Sequence, residues 1–287
     1  MGNESVDYGM INTPFAPKAE GLNLNNALYL AAASKLAYED DASTIRQVLG
    51  QWGFDQFQDF RWQGKIETEG LDVLADTYGY VCSNPDALVI VFRGTQFDNI
   101  RNWLTDAMIR TTPLPNGAGS VHKGFWAAFK SAWPEIKVAI GTQHVIKQPV
   151  WITGHSLGGA LAAMCAAHLR WTANTEIQGL YTFGQPRVGN YTFATQFSKD
   201  LKNRCIRFVN NNDIVPHLPP PGPILRYRHI DGLMYIDADG KLHAKLPWWK
   251  RLVDMGRGAI QDAGRLGPDL LKDHAIGLYA EHIKRLT

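Results

Sequence analysis

The sequence predicts an α/β fold with a mostly parallel central sheet and helices on both faces, in one domain that spans residues 1–287. Three observations support this prediction. Short apolar runs alternate with stretches of helical periodicity along the chain, as in strand–helix–strand units. The run "ALVIVF" is continuously apolar, as in a strand that is covered on both faces. Finally, 45% of the residues are hydrophobic and 20% are charged, which is the composition of a globular protein with a large core.

The first half of the chain begins with an irregular arm at residues 1–21, and residues 25–40 show the spacing of a helix. Two strands are then predicted, "GLDVLADTYGYVCSN" and "DALVIVFRGT". The stretch "VHKGFWAAFKSAWPEIKVAI" is typical of a helix, with a break expected near Pro134.

The second half continues the alternation of strands and helices. The strand "PVWITG" is followed by a helix of small residues, and two further strand patterns, "IQGLYTF" and "CIRFVNNND", flank the helical pattern "NYTFATQFSKDLKN". The stretch "RHIDGLMYIDADGKLHA" predicts two strands joined at Asp239-Gly240, a dipeptide typical of hairpin turns. Two helical segments, about 248–271 and about 274–285, end the chain.

Charge and cysteine content argue against several kinds of partner and cofactor. The 29 basic and 27 acidic residues give a net charge of +2, so no nucleic-acid partner is expected. Three cysteines form no disulfide framework, and without a Cys/His cluster we expect no metal or other cofactor. No apolar run has transmembrane length. The N-terminus lacks a signal-peptide pattern, so we expect a cytoplasmic protein or one secreted with a leader absent from this chain. No oligomeric state is indicated.

A single serine stands at a sharp turn between a predicted strand and a predicted helix. In "VWITGHSLGGALAAMCAAHL", Ser156 lies between Gly154 and Gly158. This context is that of the nucleophile elbow of α/β-hydrolases, where a strained turn exposes the serine hydroxyl at the carboxyl edge of the sheet. Side chains two residues before or after the serine would clash in such a turn. The helix that follows favours negative charge at its N-terminus.

A serine nucleophile requires a base, and the base requires a carboxylate that orients it. In this fold they follow in the order Ser, Asp or Glu, His. Asp213 ends a predicted strand at its carboxyl end, where such sheets keep their active groups. The alternative for Asp213 is an aspartate that only caps a turn or a helix.

Two histidines compete for the role of the base. His274 opens the final helix and is favoured, because His217 follows Asp213 too closely to lie easily between Asp213 and Ser156. Five other histidines are interpreted as packing, surface or hydrogen-bonding residues: His122, His155, His229, His243 and His282.

An oxyanion hole needs two donors directed at the developing negative charge. One should be the backbone N–H of Leu157, the residue after the nucleophile. The other should come from the loop after an earlier strand, where Thr95 follows "ALVIVF" closely and offers both an N–H and a hydroxyl.

These features resemble the class 3 lipase family, the fungal-lipase group typified by the Rhizomucor and Thermomyces enzymes. Seven stretches match in family order from about residue 30 to residue 282: "VFRGT", "NIRNWLTDA", "VHKGF", "ITGHSLGGALA", "TFGQPRVGN", "NDIVPHLPP" and "DHAIGLY". The resemblance implies that Ser156, Asp213 and His274 form a catalytic triad and that Thr95 and Leu157 form the oxyanion hole. It also implies hydrolysis of lipid esters without a cofactor.

By the same resemblance, "FDNIRNWLTDA" corresponds to the family's lid, at about residues 96–108. Phe97, Ile100 and Leu104 recur at helical spacing, with Trp103 beside them and polar residues on the other side. The segment is therefore predicted to be an amphipathic helix. It is either a fixed surface helix or a lid that covers the acyl groove in water and opens at a lipid–water interface.

The segment at about 241–272 is not explained by the family pattern and is interpreted as a helical insertion. It predicts an amphipathic helix with a mildly basic polar face, preceded by Trp248 and Trp249. The helix either docks on this protein or another subunit, or meets a lipid interface near the site.

Hydrolysis of lipid esters through an acyl-enzyme, as by a triacylglycerol lipase, is the leading hypothesis. A short-chain or feruloyl-type carboxylesterase, a phospholipase and an acyltransferase are alternatives. A non-catalytic binding protein would be expected to lack one member of the triad.

Overall fold

The fold is seen in a computed structural model that describes residues 8–11, 13–68, 71–94, 110–145, 147–220, 227–245 and 272–287. Its helices are α1 (Leu24–Leu36), α2 (Ala42–Gln51), α3 (Lys123–Gln143), α4 (Leu157–Trp171), α5 (Tyr191–Asp200) and α6 (Ile276–Lys284). Its strands are β1 (Gln56–Thr68), β2 (Leu71–Asn84), β3 (Ala87–Phe92), β4 (Thr111–Pro113), β5 (Ser120–His122), β6 (Val150–His155), β7 (Ile177–Phe183), β8 (Gly189–Asn190), β9 (Cys205–Asn210), β10 (Tyr227–Arg228), β11 (Leu233–Ile236) and β12 (Leu242–His243).

Within the described residues, eight strands form the central sheet in the order β1-β2-β3-β6-β7-β9-β11-β12. The strands from β3 to β11 in this order run parallel to one another. Antiparallel pairs occur at the two edges, β1-β2-β3 on one side and β11-β12 on the other. Because parallel strands end at the same edge of a sheet, the loops after β3, β6, β7 and β9 come together there.

A smaller sheet in the described residues has the order β10-β8-β5-β4. Its strands are only two or three residues long, and Val121 of β5 pairs with Gly189 of β8. It joins the segment before α3 to the segment before α5.

Helices cover both faces of the central sheet, as the sequence predicts. On one face α3, α4 and α5 bury side chains that include Phe125, Phe129, Leu161, Met164 and Phe193. On the other face α1, α2 and α6 bury side chains that include Leu30, Leu36, Ile45, Tyr279 and Ile283. Burial of this much apolar surface is the main stabilising contribution to the fold. The α/β class predicted from the sequence is confirmed.

Two local predictions differ from the structure. The helix α3 continues through Pro134, so the predicted break is wrong. A proline removes one helical hydrogen bond, but Phe129 and Ile136, both 0% exposed, anchor the helix on either side of it. The second difference concerns the insertion, since Leu242 pairs with Ile236 in the hairpin. Leu242 and His243 therefore belong to the hairpin, and the insertion stays a prediction for the segment that follows.

Two elements of the structure, α2 and β1, are not predicted from the sequence. The helix α2 begins after Asp41, whose side chain accepts the N–H groups of Ser43 and Thr44, a typical N-terminal cap. β1 pairs antiparallel with β2 at the sheet edge, with Phe60 opposite Gly79. A bilayer-spanning helix is not found among the described residues.

Candidate active site

Ser156 lies at the turn between β6 and α4, as the sequence predicts. Its backbone has φ of 58° and ψ of −129°, a conformation that costs free energy for any residue other than glycine. The side chain is only 2% exposed. The strained turn places the hydroxyl at the carboxyl edge of the sheet and at the N-terminus of α4.

The two glycines around Ser156 are required by close backbone packing. A Cβ atom on Gly154 would lie 2.3 Å from the carbonyl oxygen of Gly158. A Cβ atom on Gly158 would lie 2.3 Å from the carbonyl oxygen of Phe92, at the end of β3. Since these contacts are with backbone atoms, no rotamer change could relieve them. The steric reason given for the Gly-x-Ser-x-Gly pattern therefore holds in the structure.

Asp213 and His274 form a buried pair. The Nδ1 atom of His274 lies 2.8 Å from Oδ2 of Asp213, and both side chains are 0% exposed. Asp213 comes from the loop after β9, and His274 comes from the turn before α6. Gly184, just after β7, makes room for them: a Cβ atom there would lie 2.8 Å from both Asp213 Oδ2 and His274 Nδ1.

Two further donors bind the Asp213 carboxylate. The N–H of Val215 donates to Oδ1 over 2.9 Å, and the hydroxyl of Tyr279 donates to Oδ2 over 2.5 Å. The Tyr279 oxygen in turn accepts the N–H of Asn210 over 3.0 Å. Burial, with the Asp213 charge beside it, raises the pKa of Tyr279 well above its ordinary value, so the hydroxyl keeps its proton. Hydrogen bonds of this kind stabilise the ionised carboxylate.

The backbone around His274 is held by the strand that leads to Asp213. The amide Nδ2 of Asn210 donates to the carbonyl oxygen of Asp273 over 2.9 Å. The N–H of Asn212 donates to the Asp273 carboxylate over 3.1 Å. These contacts dock the turn of residues 272–274 against the end of β9.

Two of the other histidines, His122 and His243, make hydrogen bonds within the fold. His122 caps α3, its Nδ1 accepting the N–H of Phe125, and burial lowers the pKa of His122 to about 4. His243 bonds Asp237 in the hairpin over 2.7 Å. His217 ends the short 3₁₀ helix Val215–His217, and His274 is the histidine bonded to Asp213.

Leu157 is the first residue of α4, so its N–H belongs to the first turn of the helix, where backbone donors lack helical partners. Thr95 lies outside the described residues, and so do the predicted lid at 96–108 and residues 246–271 of the insertion. The lid residues outside the description include Phe97, Ile100, Trp103 and Leu104.

Sequence reasoning did not single out Tyr279 or Tyr38. Tyr279 lies on the buried face of α6, and helical periodicity predicts its burial but not its bond to Asp213. The hydroxyl of Tyr38, which follows α1, lies 2.8 Å from Nδ1 of His155. No pattern in the sequence indicates either contact, because each joins residues that are far apart in the chain.

The fold, with its strained serine turn at the carboxyl edge of the sheet, defines an α/β-hydrolase. A family model described as "Lipase (class 3)" matches residues 89–222. A lipase of Caenorhabditis elegans, ZK262.3, is 33% identical over 253 residues, which cover 82% of this chain and 68% of that protein. The chain belongs to the class 3 lipase family.

Other comparisons agree with this assignment. The triacylglycerol lipase OBL1 of Ricinus communis is 29% identical over 269 residues, covering 72% of this chain. The match spans only 48% of the Ricinus protein, so the chain covers about half of that relative. A solved triacylglycerol lipase, whose catalytic centre is described as a serine protease triad, is 27% identical with a TM-score of 0.59. It covers 76% of this chain, which covers 82% of it.

Proposed function

We propose that this chain is a serine hydrolase that cleaves carboxylic esters of lipids, as a triacylglycerol lipase does. The observation that carries the proposal is the fully buried His274–Asp213 pair at the sheet edge that also holds Ser156. The names of two relatives, lipase and triacylglycerol lipase, support the substrate class.

The proposed mechanism begins with attack of the Ser156 hydroxyl on the ester carbonyl. Because Nδ1 of His274 is bonded to Asp213, Nε2 is the ring nitrogen that accepts the serine proton. Asp213 orients the imidazole and stabilises its charged form. His274 then donates the proton to the leaving alkoxide. Water enters, His274 takes its proton, and hydrolysis of the acyl-serine releases the fatty acid and restores Ser156.

The negative charge that develops on the carbonyl oxygen requires fixed donors. The N–H of Leu157, in the first turn of α4, is one proposed donor, and the positive end of the helix dipole adds to it. Thr95 is the other, with its N–H and its hydroxyl. It directly follows Gly94, where the description of the loop after β3 ends.

The role of the Thr95 hydroxyl is tested by Thr95→Val, which keeps the side-chain shape and the backbone N–H. If the hydroxyl binds the oxyanion, kcat for p-nitrophenyl butyrate should fall by about 10²–10³. The loss should appear in kcat because the interaction strengthens only as charge develops. Thr142→Val is the matched control, since that hydroxyl bonds Gln58 and Ala139 near the end of α3. An unchanged kcat in Thr95→Val would leave the backbone N–H as the donor at this position.

The second candidate function, a short-chain or feruloyl-type esterase, uses the same proposed triad and differs from a lipase in the acyl group of its substrate.

We propose that residues 96–108 form a lid whose apolar residues Phe97, Ile100, Trp103 and Leu104 cover the acyl groove in water. A lid of this kind favours long-chain substrates presented at an interface.

A chain-length series of p-nitrophenyl esters, measured with and without an emulsion, separates the two functions. A lipase should turn over emulsified long-chain esters best, and its rate should rise when the substrate exceeds its solubility. Highest activity on soluble short esters, with no rise at an interface, would instead identify the esterase. Absence of activity on every ester of the series would refute the proposed function.

A further inference from the structure

His155, the residue before the proposed nucleophile, uses both nitrogens of its ring. Its Nε2 lies 2.7 Å from the carbonyl oxygen of His274, and its Nδ1 lies 2.8 Å from the hydroxyl of Tyr38. Because a carbonyl oxygen can only accept, Nε2 must carry the proton. The Nδ1 of the neutral ring then accepts a hydrogen bond from Tyr38. The contacts therefore define a single tautomer.

The surroundings keep both groups neutral. Burial, followed by the effect of His274, lowers the pKa of His155 well below its ordinary value. Burial also raises the pKa of Tyr38, so its hydroxyl stays a donor. The ring centroids of His155 and His274 are 4.5 Å apart. A charged His155 would oppose the positive charge that His274 must carry during catalysis.

Tyr38 also contacts the loop that follows β3. The backbone of Gly94 packs directly against the Tyr38 hydroxyl. A Cβ atom on Gly94 would lie 2.3 Å from this hydroxyl and 2.6 Å from the carbonyl oxygen of His155, so only glycine permits the approach. Gly94 is the neighbour of Thr95. Two hydrogen bonds and the close packing at Gly94 therefore connect three separate segments: the loop after β3, the serine turn and the backbone of His274.

We propose that Tyr38 and His155 are positioning residues for ester hydrolysis. They keep the loop that carries the proposed oxyanion donor at a fixed position relative to Ser156 and His274. In this role the His155 ring is neutral. This inference rests on the proposed roles of Ser156 and His274. Misplacement of catalytic groups by about 1 Å can cost about 10²-fold in rate, so loss of these bonds should be visible in kcat.

The first test is Tyr38→Phe, which removes only the hydroxyl. We expect kcat for p-nitrophenyl butyrate to fall by about 10- to 100-fold, with KM nearly unchanged. The rate at which a fluorophosphonate labels Ser156 should fall in parallel. Tyr80→Phe is the matched control: Tyr80 is 0% exposed, and its hydroxyl donates to Ala33 of α1 over 2.9 Å. It removes one buried hydrogen bond to α1 and should leave kcat and labelling unchanged.

The second test replaces His155. Phenylalanine keeps a planar ring but removes both hydrogen bonds, whereas glutamine can still donate to His274 and accept from Tyr38. His155→Gln should therefore retain more kcat than His155→Phe. Because Tyr38 acts through His155, adding Tyr38→Phe to His155→Phe should lower kcat by much less than Tyr38→Phe does alone.

Several results would overturn the proposal. These are a wild-type kcat and labelling rate in Tyr38→Phe, an equal loss of kcat in Tyr80→Phe, or additive losses in the double variant.

Labelling of Ser156 needs no knowledge of the substrate, so it separates the test of this proposal from the test of the proposed function. Wild-type protein that is labelled at Ser156 but cleaves no lipid ester would refute only the substrate class. Absence of labelling in the wild type would count against both.

Discussion

Ser156→Ala is expected to lower kcat for ester hydrolysis by about 10⁶, as removal of a serine nucleophile does in other serine hydrolases. The hydroxyl is proposed to form the acyl-enzyme, and neither His274 nor the proposed oxyanion donors could replace it. The Ser156 side chain makes no capping hydrogen bond to α4, so the melting temperature should change little. The measurement is kcat on p-nitrophenyl butyrate, together with mass-spectrometric mapping of a fluorophosphonate adduct in the wild type.

Ser34→Ala is a matched control for this change. Ser34 is also buried, 0% exposed, and its hydroxyl donates to the carbonyl oxygen of Leu30 over 2.8 Å within α1. Its removal should leave kcat near the wild-type value. Near-wild-type activity in Ser156→Ala, or an adduct on a different residue, would refute the assignment of the nucleophile.

Asp213→Asn is expected to lower kcat by about 10⁴ near neutral pH, as the equivalent change does in a serine protease triad. The Asp213 carboxylate accepts from three donors: His274 and Tyr279 at Oδ2, and Val215 at Oδ1. An asparagine amide has only one oxygen, so its NH₂ group must face at least one of these donors. Where it faces His274, Nδ1 becomes an acceptor and Nε2 carries the proton. A protonated Nε2 cannot accept the proton of Ser156.

The control for Asp213→Asn is Asp237→Asn. Asp237 accepts from Nε2 of His243 over 2.7 Å in the β11–β12 hairpin, so this variant also replaces an aspartate bonded to a histidine. We expect it to leave kcat unchanged. If Asp213→Asn kept kcat within about tenfold of the wild type, Asp213 would not be the orienting carboxylate, since the expected loss is about 10⁴.

Tertiary packing accounts for the elements that the sequence does not predict. β1 has alternating Phe60 and Trp62 among polar residues, but it lies at the sheet edge, where β2 is its one partner among the described strands. An edge strand needs less continuous apolar character than a strand covered on both faces, so its signal is weaker than that of β3. Pro134 lies inside α3 although local propensity predicts a break there. The helix continues because burial of its apolar face outweighs the cost of the proline.

For the histidines of the site, the sequence predicts some contacts and leaves others undetermined. The short spacing between Asp213 and His217 favours His274 over His217 as the base. The buried bond of 2.8 Å between His274 and Asp213 agrees with that choice. The sequence predicts only a packing or hydrogen-bonding role for His155. The structure shows its two hydrogen-bond partners, Tyr38 and the backbone of His274.

The sequence by itself determined the features that depend on local pattern. Continuous apolar runs specify the buried parallel strands, and the Gly-x-Ser-x-Gly turn specifies a serine in a strained position. Only the tertiary structure decided which groups bind the carboxylate of Asp213 and the ring of His155. Four of those contacts join residues that are 61, 66, 117 and 119 positions apart in the chain. A hydrogen bond requires its two atoms to approach within about 3 Å in a suitable direction. Periodicity along the chain sets which face of an element is buried, but the packing of separate elements sets those distances.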